Sequence, residues 1–210
     1  MPLYKTIKIN SQTIVKIWHI TESFDVLSKE VDLKKESTDR VSSMKSELHQ
    51  RGFLSVRLLL KTFGYTDYDL FYDEYGKPHL KDGHYVSITH SYTYAAIVVS
   101  TQPVGVDIEK QREKITKIAA KFTDYEAAYL IPDSMDYIQN LTWIWCIKES
   151  LYKLYATPGM SFKKHFLVLP FGIGQNTTTA WILDGSKRQR YEGRCLEFNG
   201  FGCAITTPIE

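Results

Sequence analysis

Gln102-Pro103-Val104-Gly105-Val106-Asp107-Ile108-Glu109-Lys110 divides the 210-residue chain near its middle. Proline carries no backbone donor and interrupts regular structure at Gln102-Pro103. The β-forming run from Val104 to Ile108 then predicts a strand. Side chains alternate across a strand, so Asp107 and Glu109 project from one face at its end. Two carboxylates this close repel each other unless a cation lies between them. The same pair also fits solvated charge on an edge strand, and spacing alone leaves both readings open.

Toward the N-terminus, Tyr85 to Thr89 and Tyr94 to Ser100 read as strands. Before them, the turn-rich stretch Asp73-Glu74-Tyr75-Gly76-Lys77-Pro78 holds Lys77 on a loop. Leu48, Gly52, Val56, Leu59, Leu60 and Phe63 recur at three- and four-residue spacing, which predicts a helix from about Asp39 to Phe63 with one face on a core; Gly64 is placed to end it. Lys45, Arg51 and Arg57 lie mostly off that stripe, available to solvent or to an anionic ligand. Alternation at Tyr4 to Ile9 and Ile14 to Ile20 predicts two opening strands.

Toward the C-terminus, a helical segment around Ile115 to Phe122 leads to Thr123-Asp124-Tyr125-Glu126, which has the spacing of a capping box. A longer helix is expected from about Ser134 to Ala156, with Tyr137, Leu141, Ile144, Ile147, Leu151 and Leu154 on its apolar face and Thr157-Pro158-Gly159 as its stop. Phe166 to Pro170, Ala180 to Leu183, Tyr191 to Phe198 and Gly202 to Thr206 read as strands of a closing antiparallel sheet. Each half thus holds one long helix and several strands. This predicts an α+β fold of two lobes, residues 1–103 and 104–210, although no residue-level repeat links them.

Net charge +2 is too small for a nucleic-acid binder. Hydrophobic residues at 43% and charged residues at 24% match a globular chain that buries a core. Met1 to Asn10 lacks the apolar centre of a secretion signal, and no apolar run reaches the roughly 18 residues of a membrane span. Cys146, Cys195 and Cys203 lack C-x-x-C spacing and read as free thiols. The expected location is the cytoplasm, with no membrane partner.

On the predicted long helix, Trp145, Glu149 and Lys153 fall at i, i+4 and i+8 and share a face, an arrangement that also fits a surface Glu–Lys pair. Ser87-Ile88-Thr89-His90-Ser91 places a histidine among hydroxyl donors suited to phosphate oxygens; a structural histidine would look the same. His19, His49, His79, His84 and His165 form no zinc-spaced set. Neither a G-x-x-x-x-G-K-[ST] loop nor a G-x-S-x-G elbow is present.

Four motifs occur in order: Gly76-Lys77-Pro78, Ile88-Thr89-His90-Ser91, Gly105-Val106-Asp107-Ile108-Glu109, and Trp145 through Lys153. Together, over about Lys45 to Gly159, they resemble the 4′-phosphopantetheinyl transferase superfamily, in its monomeric surfactin-synthetase-activating type. The resemblance implies a pseudo-dimer of two α+β lobes with the active site in the cleft between them. It implies Mg²⁺ held by Asp107 and Glu149, with Glu109 as third ligand, against the pyrophosphate of coenzyme A. Lys77, His90 and Arg51 would contact the nucleotide phosphates, with Thr89 nearby and Lys45 a further member.

In the family's reaction a serine of an apo acyl or peptidyl carrier protein attacks the β-phosphate, and adenosine 3′,5′-bisphosphate leaves. Lys153 is the expected ammonium at the leaving phosphate, and Glu149, or a water it orients, the expected base. Thr89 and Ser150 stand where the family usually has Ser and Ala. Leu154 to Gly159 is less glycine-rich than in relatives. Carrier proteins are acidic helical bundles, and Lys117, Lys121, Phe122 and Tyr125 are docking candidates by position. The competing readings are a metal-dependent nucleotide pyrophosphate hydrolase and a non-catalytic carrier-binding module.

Overall fold

The computed structural model describes residues 3–172 and 174–209. The chain divides into two compact units, residues 1–102 and 103–210. The first runs β1 (Leu3–Lys8), β2 (Thr13–His19), α1 (Phe24–Glu30), α2 (Lys35–Ser43), α3 (Glu47–Thr62), β3 (Leu70–Tyr72), β4 (Pro78–Leu80), β5 (Tyr85–Ser91) and β6 (Tyr94–Ser100). Its antiparallel sheet has the order β1-β2-β6-β5, and β3 and β4 form a separate hairpin. Helix α3 packs on that sheet, burying Phe53, Leu54, Leu59 and Leu60 with Trp18, Leu27 and Ile97.

The helix expected over residues 39–63 is two helices. Met44 and Ser46 are extended, and Gln50 Nε2 donates to the carbonyls of Val41 and Met44, both at 3.2 Å, satisfying acceptors that the break exposes. Leu48, expected on the core stripe, is exposed in the first turn of α3. Arg57 is not available to a ligand. Helix α3 is buried continuously from Gly52 to Leu60, so its polar side is also covered. There the Arg57 guanidinium lies 3.6 Å from the Phe53 ring centroid and pairs with Asp67 at 3.0 Å.

The second unit runs β7 (Gly105–Lys110), a 3-10 segment Glu113–Ile118, α4 (Ala119–Phe122), a 3-10 turn Tyr125–Ala128, α5 (Tyr137–Tyr155), β8 (Phe166–Val168), β9 (Thr177–Asp184), β10 (Lys187–Phe198) and β11 (Phe201–Pro208). Its sheet is antiparallel in the order β7-β11-β10-β9-β8. Helix α5 lies over β7 and β11 and buries Leu141, Ile144, Ile147 and Leu151. It ends at Ala156 in the left-handed region, φ 53°. Cys146, Cys195 and Cys203 are free and buried.

Thr123 and Glu126 do not form a capping box. The Thr123 hydroxyl donates back to Ala119 O at the end of α4. Glu126 is buried because Lys148, itself buried on α5, needs a counter-charge: the two pair at 2.7 Å, and Lys148 Nζ also donates to Phe122 O and Phe162 O. Phe122 is fully buried, which removes it from the candidate docking residues, whereas Tyr125 is exposed.

The fold class is α+β. A correspondence invisible residue by residue is present in the topology. In each unit the strand preceding the long helix lies beside the last strand, with the next-to-last beyond it: β2-β6-β5 in one, β7-β11-β10 in the other. Among the described residues, no helix is long and apolar enough to cross a membrane.

Candidate active site

Gly105 begins the site. It pairs with Thr206, Asp107 with Ala204 and Glu109 with Gly202, so these alternate residues of β7 share one face. Helix α5 covers that face so closely that a Cβ on Gly105 would overlap the Ser150 carbonyl. The glycine lets helix and strand backbones approach, and this approach brings the carboxylates of β7 to the charged face of α5.

Lys153 Nζ donates to Asp107 Oδ1 at 2.6 Å and to Val106 O at 3.2 Å. Asp107 is nearly buried, whereas the Lys153 side chain is 28% exposed. Burial works to lower the Lys153 pKa, but the Asp107 charge and hydrogen bond, with Glu149, hold the ammonium above its ordinary range. Glu149 lies one turn before Lys153 on α5. Burial first, then the Asp107 and Glu109 charges, push its carboxyl up to about 7, against the opposing pull of Lys153. Three carboxylates and one ammonium therefore share this field.

Such a cluster fits a hard cation. Positive charge relieves the repulsion between carboxylates this close, and all three offer only oxygen. Among the described residues, no group of three His, Cys, Asp or Glu side chains is already gathered as a metal-ligand set. Mg²⁺ does not require one, because it commonly takes one or two carboxylates and completes its shell with waters and substrate phosphates.

Beside Glu109, a cavity of about 180 Å³ is lined by Ile115, Ile118 and Trp145 and by Lys110, Arg112 and Lys114. Trp145 forms its wall from α5, braced edge-on by Phe122 and Phe162 with ring centroids at 5.1 and 5.4 Å.

Apart from Lys153, the residues expected at the nucleotide phosphates lie in the first unit. His90 stands exposed near the end of β5. Its ring fills the space left by Gly52 on α3, where a Cβ would come 2.7 Å from His90 Nδ1, and His49 lies near it with centroids 6.4 Å apart. Arg51, next to Gly52, donates to Ile20 O at 3.1 Å. Thr89 is buried, Lys45 is exposed between α2 and α3, and Lys77 is half-buried in the turn between β3 and β4. The role of Gly52 was open to sequence reasoning, since a glycine inside a helical pattern signals a close packing partner. That of Glu126 was masked by its resemblance to a cap.

Residues 103–205 match the model of the 4′-phosphopantetheinyl transferase superfamily. The chain is 30% identical over 138 residues to the 4′-phosphopantetheinyl transferase gsp of Aneurinibacillus migulanus, covering 63% of this chain and 55% of that protein. It is 37% identical over 90 residues to a 4′-phosphopantetheinyl transferase of Bacillus subtilis, covering 38% of each. It is 35% identical over 86 residues to the 4′-phosphopantetheinyl transferase Sfp of Bacillus subtilis strain 168, again covering 38% of each. The chain thus aligns with about half the length of the first of these relatives and less of the other two. The matched region holds the whole carboxylate and ammonium cluster, and over these residues the chain is similar to the 4′-phosphopantetheinyl transferase superfamily.

Proposed function

We propose that this protein transfers the phosphopantetheine group of coenzyme A to a serine of an acyl or peptidyl carrier protein. The observation that carries the reading is the 2.6 Å bond from Lys153 to Asp107 within a field that also raises Glu149. It is a fixed ammonium beside carboxylates that could hold a metal, the electrostatic stabilisation on which phosphoryl-type transfer depends. Asp107 and Glu149, with Glu109 as third ligand, would hold Mg²⁺, which would supply positive charge at the pyrophosphate.

The chain's own residues do the rest. The serine Oγ forms a bond to the β-phosphorus of coenzyme A, and the bond from that phosphorus to the bridging oxygen breaks. Adenosine 3′,5′-bisphosphate leaves with the electron pair. Lys153, kept protonated by Asp107, donates to the oxygen on which charge accumulates, a stabilisation already oriented before reaction. Glu149, or a water that it orients, receives the serine proton. Arg51, Lys77 and His90, with Lys45 and Thr89, are assigned to the nucleotide phosphates.

Carrier docking is assigned to the surface around the Trp145 cavity, where Lys110, Arg112 and Lys114 rim an apolar floor. Basic charge there would speed encounter with an acidic partner and weaken with salt. The protein is expected to act as a monomer, a reading supported by the repeated topology within one chain.

The test is to incubate the protein with coenzyme A, Mg²⁺ and an apo carrier protein and to weigh the carrier by mass spectrometry. Carrier heavier by one phosphopantetheine is the expected result. Coenzyme A cleaved with no gain in carrier mass would make the protein a pyrophosphate hydrolase. Carrier bound without reaction would make it a binding module.

A further inference from the structure

Asp73 opens the turn that carries Lys77, and its carboxylate is the hub of that turn. Oδ1 accepts from the backbone N–H of Tyr75 at 3.0 Å and of Lys77 at 2.9 Å. Oδ2 lies 2.9 Å from His79 Nε2 on β4. The backbone closes the same loop, with Asp73 N donating to Lys77 O at 3.1 Å and Gly76 N to Asp73 O at 3.0 Å. Gly76, at φ 81°, supplies the left-handed residue that a side-chain residue would adopt only with strain. The His79 ring stacks on Phe71, centroids 5.3 Å apart, which fixes the second partner of Asp73 across the hairpin.

We propose that Asp73 is the positioning residue for Lys77: its carboxylate, braced by His79, holds the Tyr75–Lys77 turn in the conformation that presents the Lys77 ammonium to a phosphate of coenzyme A. This inference rests on the proposed use of coenzyme A. Two physical effects support it. An aspartate accepting backbone N–H groups two and four residues on replaces the hydrogen bonds that a free loop would make to water, so the turn is set before ligand arrives. Burial also pulls the Lys77 pKa down while the Asp73 charge opposes it, so the same carboxylate favours the charged lysine.

The hydrogen-bond pattern makes a specific demand. Asparagine at position 73 would keep an oxygen for the Tyr75 and Lys77 N–H groups and offer its amide to a neutral His79 ring. Alanine would offer neither.

The experiment is calorimetric titration of coenzyme A with Mg²⁺ into the unaltered protein and into Asp73→Ala, Asp73→Asn, Lys77→Ala and Asp73→Ala/Lys77→Ala, with thermal unfolding of each and steady-state kinetics using an apo carrier. Asp73→Ala is expected to weaken coenzyme A roughly tenfold and to raise its KM correspondingly. Both kcat at saturating coenzyme A and the KM for the carrier should stay near those of the unaltered protein. Asp73→Asn, which keeps the N–H acceptor but loses the charge, should bind better than Asp73→Ala and less tightly than the unaltered protein, and the double variant should bind no worse than Lys77→Ala alone.

Unchanged affinity in Asp73→Ala would overturn the proposal. So would an equal further loss when Asp73→Ala is added to Lys77→Ala, since Asp73 would then act independently of the lysine. Failure of the unaltered protein to bind coenzyme A would overturn the functional reading itself, and this inference with it. That outcome is distinguishable because it appears before any substitution is made.

Discussion

Lys153 and Glu149 sit one helical turn apart and are shifted by the same neighbour for opposite reasons. Asp107 favours the lysine's charge and disfavours the glutamate's. Removing the ammonium should therefore affect chemistry more than binding: Lys153→Ala is expected to lower kcat by more than it raises the KM for coenzyme A, and a pure KM effect would make Lys153 a binding residue. Glu149 has a folded pKa near 7 against an unfolded value near 4.5, so the folded state binds the extra proton between these pH values. Stability of the metal-free protein from this group is greatest below about pH 4.5 and is lost as pH rises through about 7. Glu149→Gln should remove most activity, yet in chelator it should unfold like the unaltered protein at pH 4 and be about 1 kcal/mol more stable at pH 8, after allowance for solvent screening. Denaturant melts at the two pH values measure this, and a Gln variant destabilised at pH 8 would contradict it. At this scale spacing put Asp107, Glu149 and Lys153 on shared faces and the family resemblance singled them out, but neither gave the bond between two of them. Arg57 was misread because its position off the apolar stripe pointed to solvent, whereas Asp67, ten residues on, buries it.

The contact between β7 and α5 depends on a single missing methyl group. Gly105→Ala would drive a Cβ into the Ser150 carbonyl, and backbone at both ends of the clash leaves no flexible side chain to yield. A loss of roughly 3 kcal/mol or more is expected, with activity falling further because Asp107 moves away from Lys153. Urea unfolding and turnover together test this, and an alanine variant with unchanged midpoint would show that the two elements separate at no cost. Long periodic elements were legible in advance: α5 came from its apolar recurrence, and the strands of both sheets from their β-forming runs. The break between α2 and α3 was not, because Gln50 reaches back to the open carbonyls of α2 and no periodicity records that bond. The supposed cap at Thr123 failed for a similar reason. Its Glu126 is recruited by Lys148, twenty-two residues away in sequence but adjacent in the core.

At the scale of the whole molecule, a ligand that binds only the folded protein stabilises it by mass action. Coenzyme A with Mg²⁺, at a hundred times its Kd, should add about 2.7 kcal/mol to stability, read as a rise in unfolding temperature. Mg²⁺ alone should give a smaller rise, because its shell is completed by the phosphates. No shift with both present would argue against coenzyme A as the ligand. The sequence by itself determined the α+β class, the long helix, the residue types of the charged cluster and the motif order that carries the family resemblance. These follow from periodicity and spacing, which are properties of a chain read in one dimension. Only the tertiary structure decided which charges are partnered, which glycines admit close approach, and that β2-β6-β5 and β7-β11-β10 repeat one arrangement. Those facts depend on packing between segments distant in sequence, where burial and a neighbour's charge outweigh local preference.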